Sequence, residues 1–434
     1  MFFSLTYYLV IVSIVLFSLY MVEKSQIGDY LNVHKVFILL LIFLNIPIIL
    51  IKPDLYINDP SINYKSLIHA DKNLIIQGVK IFMISVFIYT LVPFIFRRFY
   101  HLKFINAKNK NYTTTNFYFN RFCFFIFILL LVMSIINIDY RLSVLRYLLG
   151  NIDPISSNIL RRFGNNDFFL INYFRYSLVL IHIIMFSIVV KKKFGDLAFT
   201  IIYIFSVVLI SGSVSKLYYV HALAIYGVVF TYYSNRKNLL ENKYVYLKFF
   251  IFFIVLILFL SMFFSSIQYA QLSFFDGLKA SIYRTYSAWL NFLYFIYIFP
   301  DYSDFTYFHQ SSFLGSIFGF EPVRIGDILV NFHPRLYQFY TSLVTNYIGY
   351  AWAFGGYFAV ITFSVLLSLL LKYLDVMHYY IKNDIIRVTF YSFIICSPIS
   401  NMHSSFFSSL LHYGMLSAPL YLIILDKIFD IKKK

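Results

Sequence analysis

Residues 301–345 read DYSDFTYFHQSSFLGSIFGFEPVRIGDILVNFHPRLYQFYTSLVT. Asp301, Asp304, His309, Glu321, Arg324, Asp327, His333 and Arg335 stand within it, and Gly315, Gly319, Pro322, Gly326 and Pro334 break any long helix. No bilayer span can be cut from such a stretch. Almost everything on either side of it is apolar, so any chemistry the chain performs is expected here.

The surroundings follow from composition. The chain has 434 residues, of which 60% are hydrophobic and 13% charged. A soluble domain carries about 25% charge, so the chain reads as an integral membrane protein. Apolar runs near the length of a span, roughly 20 residues, fall at 2–22, 36–51, 74–96, 122–138, 171–190, 196–211, 217–233, 249–267, 346–371, 388–400 and 405–425. The fold class expected is an all-α polytopic membrane protein, one integral domain over 1–434 with about eleven transmembrane helices, ten to twelve allowing for the short runs. The first run lacks the basic flank and small-residue cleavage site of a signal peptide. Cys123 and Cys396 lie inside apolar runs, without disulfide or metal-ligand spacing. Neither a metal nor another cofactor is expected.

The net charge of +17 raises nucleic acid as a partner, and its distribution argues against one. Connecting segments 23–35, 97–121, 191–195, 234–248, 372–387 and 426–434 hold 22 Lys and Arg; the alternate set, 52–73, 139–170, 212–216 and 268–345, holds 12 in much longer loops. Basic residues gather on the cytoplasmic side, so the first set is assigned inside and the second outside. The Lys runs at 191–193 and 432–434 then need only anionic lipid headgroups as partners.

The outer loops are Arg-rich: Arg141, Arg146, Arg161, Arg162, Arg284, Arg324 and Arg335. A guanidinium grips phosphate or carboxylate with two parallel bonds. Each of these arginines taken singly fits an ordinary ion pair; as a group they point to an anion site at the outer face. Segment 139–170 has Arg141, Leu142, Leu145, Arg146 and Leu149 at helical spacing, an amphipathic helix lying on the membrane. Segment 275–299 is nearly continuous apolar sequence, an interfacial or re-entrant helix stopped at Pro300. Irregular backbone at membrane depth is tolerated only against protein or a water-filled cavity, so the 268–345 loop is expected to cap a cavity opening outward. Lys216 and His403, in polar turns, are placed at the same cavity; packing and turn chemistry is the plainer account of both. Trp289 and Tyr337 fit either an interfacial aromatic belt or stacking on sugar rings. No nucleotide-binding loop, internal repeat or metal cluster is legible.

Three stretches carry a family likeness. Ser211-Gly-Ser-Val-Ser-Lys216 looks like a small-residue turn that ordinarily ends in Arg. Tyr283-Arg-Thr-Tyr-Ser287 matches an Arg-containing opening of a late outer loop, and the run from Tyr340 to Gly356 ends in Phe-Gly-Gly at the entry to the next span. In these, and in its overall plan, the chain resembles the Wzy-type polymerases of bacterial O-antigen and related surface polysaccharides. The resemblance implies block transfer of a growing glycan from undecaprenyl diphosphate onto a new lipid-linked repeat unit, at the periplasmic face of the inner membrane. The implied partners are the undecaprenyl-diphosphate-linked oligosaccharide, the lipid bilayer and a chain-length regulator protein. Arg284, Arg324 and Arg335 would hold the diphosphate, with Arg141, Arg146, Arg161, Arg162 and Lys216 as weaker candidates. Asp327 or Glu321 would be the general base, with His309 or His333 as the alternative. Arg324 and Asp327 could equally be a plain ion pair one turn apart. The rivals are an O-antigen ligase, which differs only in acceptor, and a flippase or other transporter, which would line its spans with charge. A membrane acyltransferase would use a His in or beside a span, as His182, His221, His403 or His412 offers.

Overall fold

A computed structural model describes residues 4–27, 32–51, 72–108, 117–135, 175–211, 216–234, 291–310, 346–401 and 414–431, with single positions at 251, 255, 289, 318, 319, 321, 323, 325, 328 and 410. The described segments fold as helices: α1 Leu5–Lys24, α2 Val33–Ile51, α3 Lys72–Ile95, α4 Arg97–Lys108, α5 Phe117–Ile135, α6 Leu180–Ser211, α7 Lys216–Ser234, α8 at 291–298, α9 Tyr347–Met377, α10 Asp384–Asn401 and α11 Ser417–Ile431. Among the described residues, six helices are long and apolar enough to cross a membrane. Helices are the form such sequence must take, because lipid offers no water to unpaired backbone groups.

The core is formed by α2, α3, α9 and α10, with α1 along the side of α3. The outward face of α1 keeps Leu5, Leu9, Leu16 and Phe17 exposed, as a lipid-facing helix does. Serines bring α3 and α9 together: Ser85 Oγ lies 2.7 Å from Ser364 Oγ, and Ser368 Oγ donates to the Tyr89 carbonyl at 2.6 Å. Small hydroxyl residues let helix backbones approach closely and satisfy each other.

Two helices are broken by glycine. Gly195 has φ +85° inside α6. Ser134 Oγ donates to the Ile210 carbonyl at 3.3 Å, while Phe127, two turns away on the same α5, stacks on Phe186 with ring centres 4.0 Å apart. A straight α6 would hold Phe186 and Ile210 about 36 Å apart. The chain therefore doubles back at Gly195, and Lys191 pairs with Asp196 across the turn. The expected pair of runs, 171–190 and 196–211, is present as two arms.

The second break corrects the sequence. The run 346–371 reads as one span, but Gly355 and Gly356 are non-helical, with φ +62° at Gly356. Tyr347 Oη lies 3.3 Å from Ser364 Oγ, 17 residues away, where a straight helix would set them about 25 Å apart. Residues 347–354 are thus a short arm folded back against 357–377, and its first residue lies deep in the bundle against Ser85 of α3. Hydropathy cannot register this reversal, since the run stays apolar throughout. Other bounds shift as well. Helix α5 begins at Phe117 instead of 122, and α11 begins only at Ser417 and continues to Ile431, past the expected 405–425. The run 249–267 lies outside the described residues apart from positions 251 and 255, as does the 139–170 loop entirely.

Segments that the basic-residue pattern grouped together meet at one end of the bundle, with 372–387 as their hub. Asp375 accepts from the Val33 backbone at 2.7 Å, and Tyr380 Oη donates to the Lys103 carbonyl at 2.7 Å. Lys192 pairs with Asp384 at 2.9 Å, Lys382 with Asp430 at 2.6 Å, and Arg387 donates to Tyr232 Oη at 2.7 Å. Beyond the spans, the Asp430 carboxylate holds the Lys382 ammonium above its usual pKa, while burial raises the Asp426 carboxyl. Asn45 and Asn346, bonded at 3.2 Å, lie toward the opposite end.

Candidate functional site

The opposite end carries the described part of the late loop. Helix α8 rises to it beside α3. Trp289 packs edge-on to Phe82, near the midpoint of α3, and Gly78 of α3 gives Leu293 of α8 the room to approach. Trp289, Phe292, Leu293 and Phe295 are fully buried. This stretch is packed in protein rather than lying at an interface, and Trp289 belongs neither to an aromatic belt nor to a sugar platform.

Past Pro300 the chain leans on the folded-back arm of α9. The reversal at Gly355–Gly356 takes away the helical partner of the Ala353 carbonyl, and Thr306 supplies two others, its backbone N–H and its Oγ1, both at 2.9 Å. In return, Trp352 Nε1 donates to the Phe299 carbonyl at 2.8 Å. Phe305 fills the space beside Gly356. From Thr306 the chain enters a single 3-10 turn, Tyr307–Gln310, that presents His309.

His309 is exposed and held from both sides. Its carbonyl accepts from Val323 N at 2.7 Å, and its Nδ1 lies 3.2 Å from the Glu321 carbonyl oxygen. A carbonyl can only accept, so Nδ1 is the donor in this contact. Glu321 enters through its backbone, while its side chain is exposed, as are Asp301 and Asp304.

The remaining sequence candidates fall elsewhere. Arg141, Arg146, Arg161, Arg162, Arg284, Arg324, Arg335, Asp327, His333, His403, His412 and Tyr337 lie outside the described residues, and Lys216 is described only as the first residue of α7. Of the span histidines, His182 bonds Tyr421 Oη through Nε2 at 2.7 Å. His221 is fully buried beside Phe393, and among the described residues neither ring nitrogen has a hydrogen-bond partner. No group of three His, Cys, Asp or Glu that could hold a metal ion is found among the described residues.

The sequence places charge in loops, with Lys80 and Arg175 as the nearest exceptions. Lys80 is exposed, and the side chain of Arg175 lies outside the described residues. The bundle, however, buries other charges at its basic end: Lys35, Lys372 and Asp375 are all at most 6% exposed. Asp375 caps the start of α2 by accepting from Val33 and His34, and Lys35 donates to Glu23 at 2.8 Å. Above them His34 Nε2 meets the Tyr89 carbonyl, and Ser368 and Ser364 continue the polar file along α9. Ser364, Ser368, Lys372 and Asp375 recur every three or four residues, which puts them on one helix face. That spacing is visible in the sequence and was the available signal.

No family model, curated protein or solved structure matches this chain. What the fold defines is an all-α protein with several helices of membrane-spanning length, the build of a multi-pass membrane protein.

Proposed function

We propose that this chain polymerises undecaprenyl-diphosphate-linked oligosaccharide repeat units into a surface polysaccharide, at the outer face of a bacterial inner membrane. The observation that carries the proposal is His309: a histidine on the loop opposite the basic end, its ring oriented by an Nδ1–H bond to a backbone carbonyl. In this mechanism Nε2 takes the proton of the acceptor sugar's hydroxyl. That oxygen attacks the anomeric carbon of the donor glycan, and the bond from that carbon to the diphosphate oxygen breaks. Undecaprenyl diphosphate leaves, its charge met by Arg284, Arg324 and Arg335. The reaction draws its energy from the donor, so it needs no nucleotide outside the cell. The base is assigned to His309 among the four candidates Asp327, Glu321, His309 and His333, because its ring hydrogen bond falls among the described residues.

Deletion of the gene tests the proposal. Loss of the polymer ladder with single repeats still capping the lipid A core supports polymerisation; a core that carries no repeat at all favours a ligase instead. Transport is the second reading, favoured by buried Lys372 and Asp375, since ionisable side chains inside a bundle commonly mark a transport path. Substrate flux across vesicles without any change in glycan length would select it.

A further inference from the structure

Resting on the assignment of the outer loop as the reactive one, we infer that Thr306 and Trp352 are positioning residues that lock the His309 turn to the folded-back arm of α9, so that turn and arm move as one body. Each half of the lock answers a carbonyl stripped of its helical partner at a chain reversal. Ala353, just before Gly355–Gly356, receives both donors of Thr306; Phe299, just before Pro300, receives the indole N–H of Trp352. The three bonds, two from Thr306 and one from Trp352, run in opposite directions between the same two segments, so neither segment can slide without breaking at least one of them. Ring contacts close the gap between them: Phe305 meets Trp352 edge-on, and Phe308 meets Phe354 with centres 5.2 Å apart. His309 follows at once, its N–H bonded to the Thr306 carbonyl at 3.0 Å. His309 is therefore held at its backbone N–H by Thr306 and at its ring by the Glu321 carbonyl.

The lock extends inward. The arm that Thr306 grips begins at Asn346 and Tyr347, which bond Asn45 of α2 and Ser85 of α3. A shift of the reactive loop would thus be felt at the centre of the bundle, and a shift of α3 at the loop.

The test uses the full-length protein in its native membrane with Ser303→Cys as reporter, since Ser303 is half-buried beside the lock and native Cys123 and Cys396 are buried. The readouts are labelling by an impermeant maleimide and glycan chain length. Thr306→Val keeps the side-chain shape and removes Oγ1, and Trp352→Phe removes the indole N–H. Each is expected to raise the labelling rate roughly tenfold, the factor that corresponds to about 1.4 kcal/mol, and to shorten the glycan. Thr306→Ser restores both. Faster labelling with normal glycan length would uphold the lock and overturn the assignment of the loop as reactive. Unchanged labelling in Thr306→Val would overturn the lock whatever the glycan does.

Discussion

Replacing Gly356 by Ala should straighten the α9 reversal or weaken it severely. Gly356 holds φ +62° and ψ −144°, and a Cβ there would meet Phe305 Cζ at 3.0 Å. A side chain forced into that backbone region costs on the order of 1–3 kcal/mol, before Phe305 gives way. Alanine also favours continuous helix over glycine by about 1 kcal/mol. Together these shift the balance between folded-back and straight arms by about 3 kcal/mol, roughly a hundred-fold in population. The assay places cysteines at Tyr347 and Ser364, in a background without Cys123 and Cys396, and applies a short membrane-permeant thiol cross-linker. Linked peptides are then counted by mass spectrometry. The parent pair should link efficiently, because the native side chains meet at 3.3 Å, and Gly356→Ala should nearly abolish the link. Efficient linking in Gly356→Ala would refute the dependence on glycine; a parent pair that never links would refute the reversal itself.

Three other outcomes follow from the same contacts. Asp375→Ala removes the carboxylate that accepts from the Val33 and His34 backbone at the start of α2, which should cost about 1.5–3 kcal/mol, against much less for Asp375→Asn, in thermal unfolding in detergent. At Asp426, burial raises the folded pKa above the unfolded one, so the folded state takes up the proton first as the pH falls. Wild type should therefore gain stability relative to Asp426→Asn on acidification through the folded value, and an opposite trend in paired melting curves would contradict this. Arg284→Ala, Arg324→Ala and Arg335→Ala should each abolish chain extension while the protein stays inserted; normal glycan length in all three would remove the diphosphate assignment.

Much of the architecture was legible because two strong signals act alone. Apolar run length reports helices in lipid, and among the described residues the Lys- and Arg-rich segments 23–35, 97–121, 191–195 and 426–434 all have contacts with 372–387. Hydropathy failed at Gly355–Gly356, since a re-entrant arm and a span have the same composition and differ only in backbone torsion. It failed again at Lys372 and Asp375: the apolar run ends at 371 and leaves both to a connecting segment, whereas α9 continues to Met377 and buries them, as their spacing from Ser364 and Ser368 on one face marks. Trp289 was misplaced because an aromatic at an interface and one packed on Phe82 look alike in one dimension. The candidate base set was readable as residue types on one loop. What the described residues add to that set is the meeting of His309 Nδ1 with the Glu321 carbonyl, across a bend no periodicity encodes.

Reconstitution addresses the central claim without intermediaries. The purified protein in proteoliposomes, given only lipid-diphosphate-linked repeat units, should produce a ladder of lengthened glycans with no nucleotide present, and His309→Gln in the same vesicles should produce none. A ladder undiminished in His309→Gln, or wild-type vesicles that leave every repeat unit single, would contradict the account.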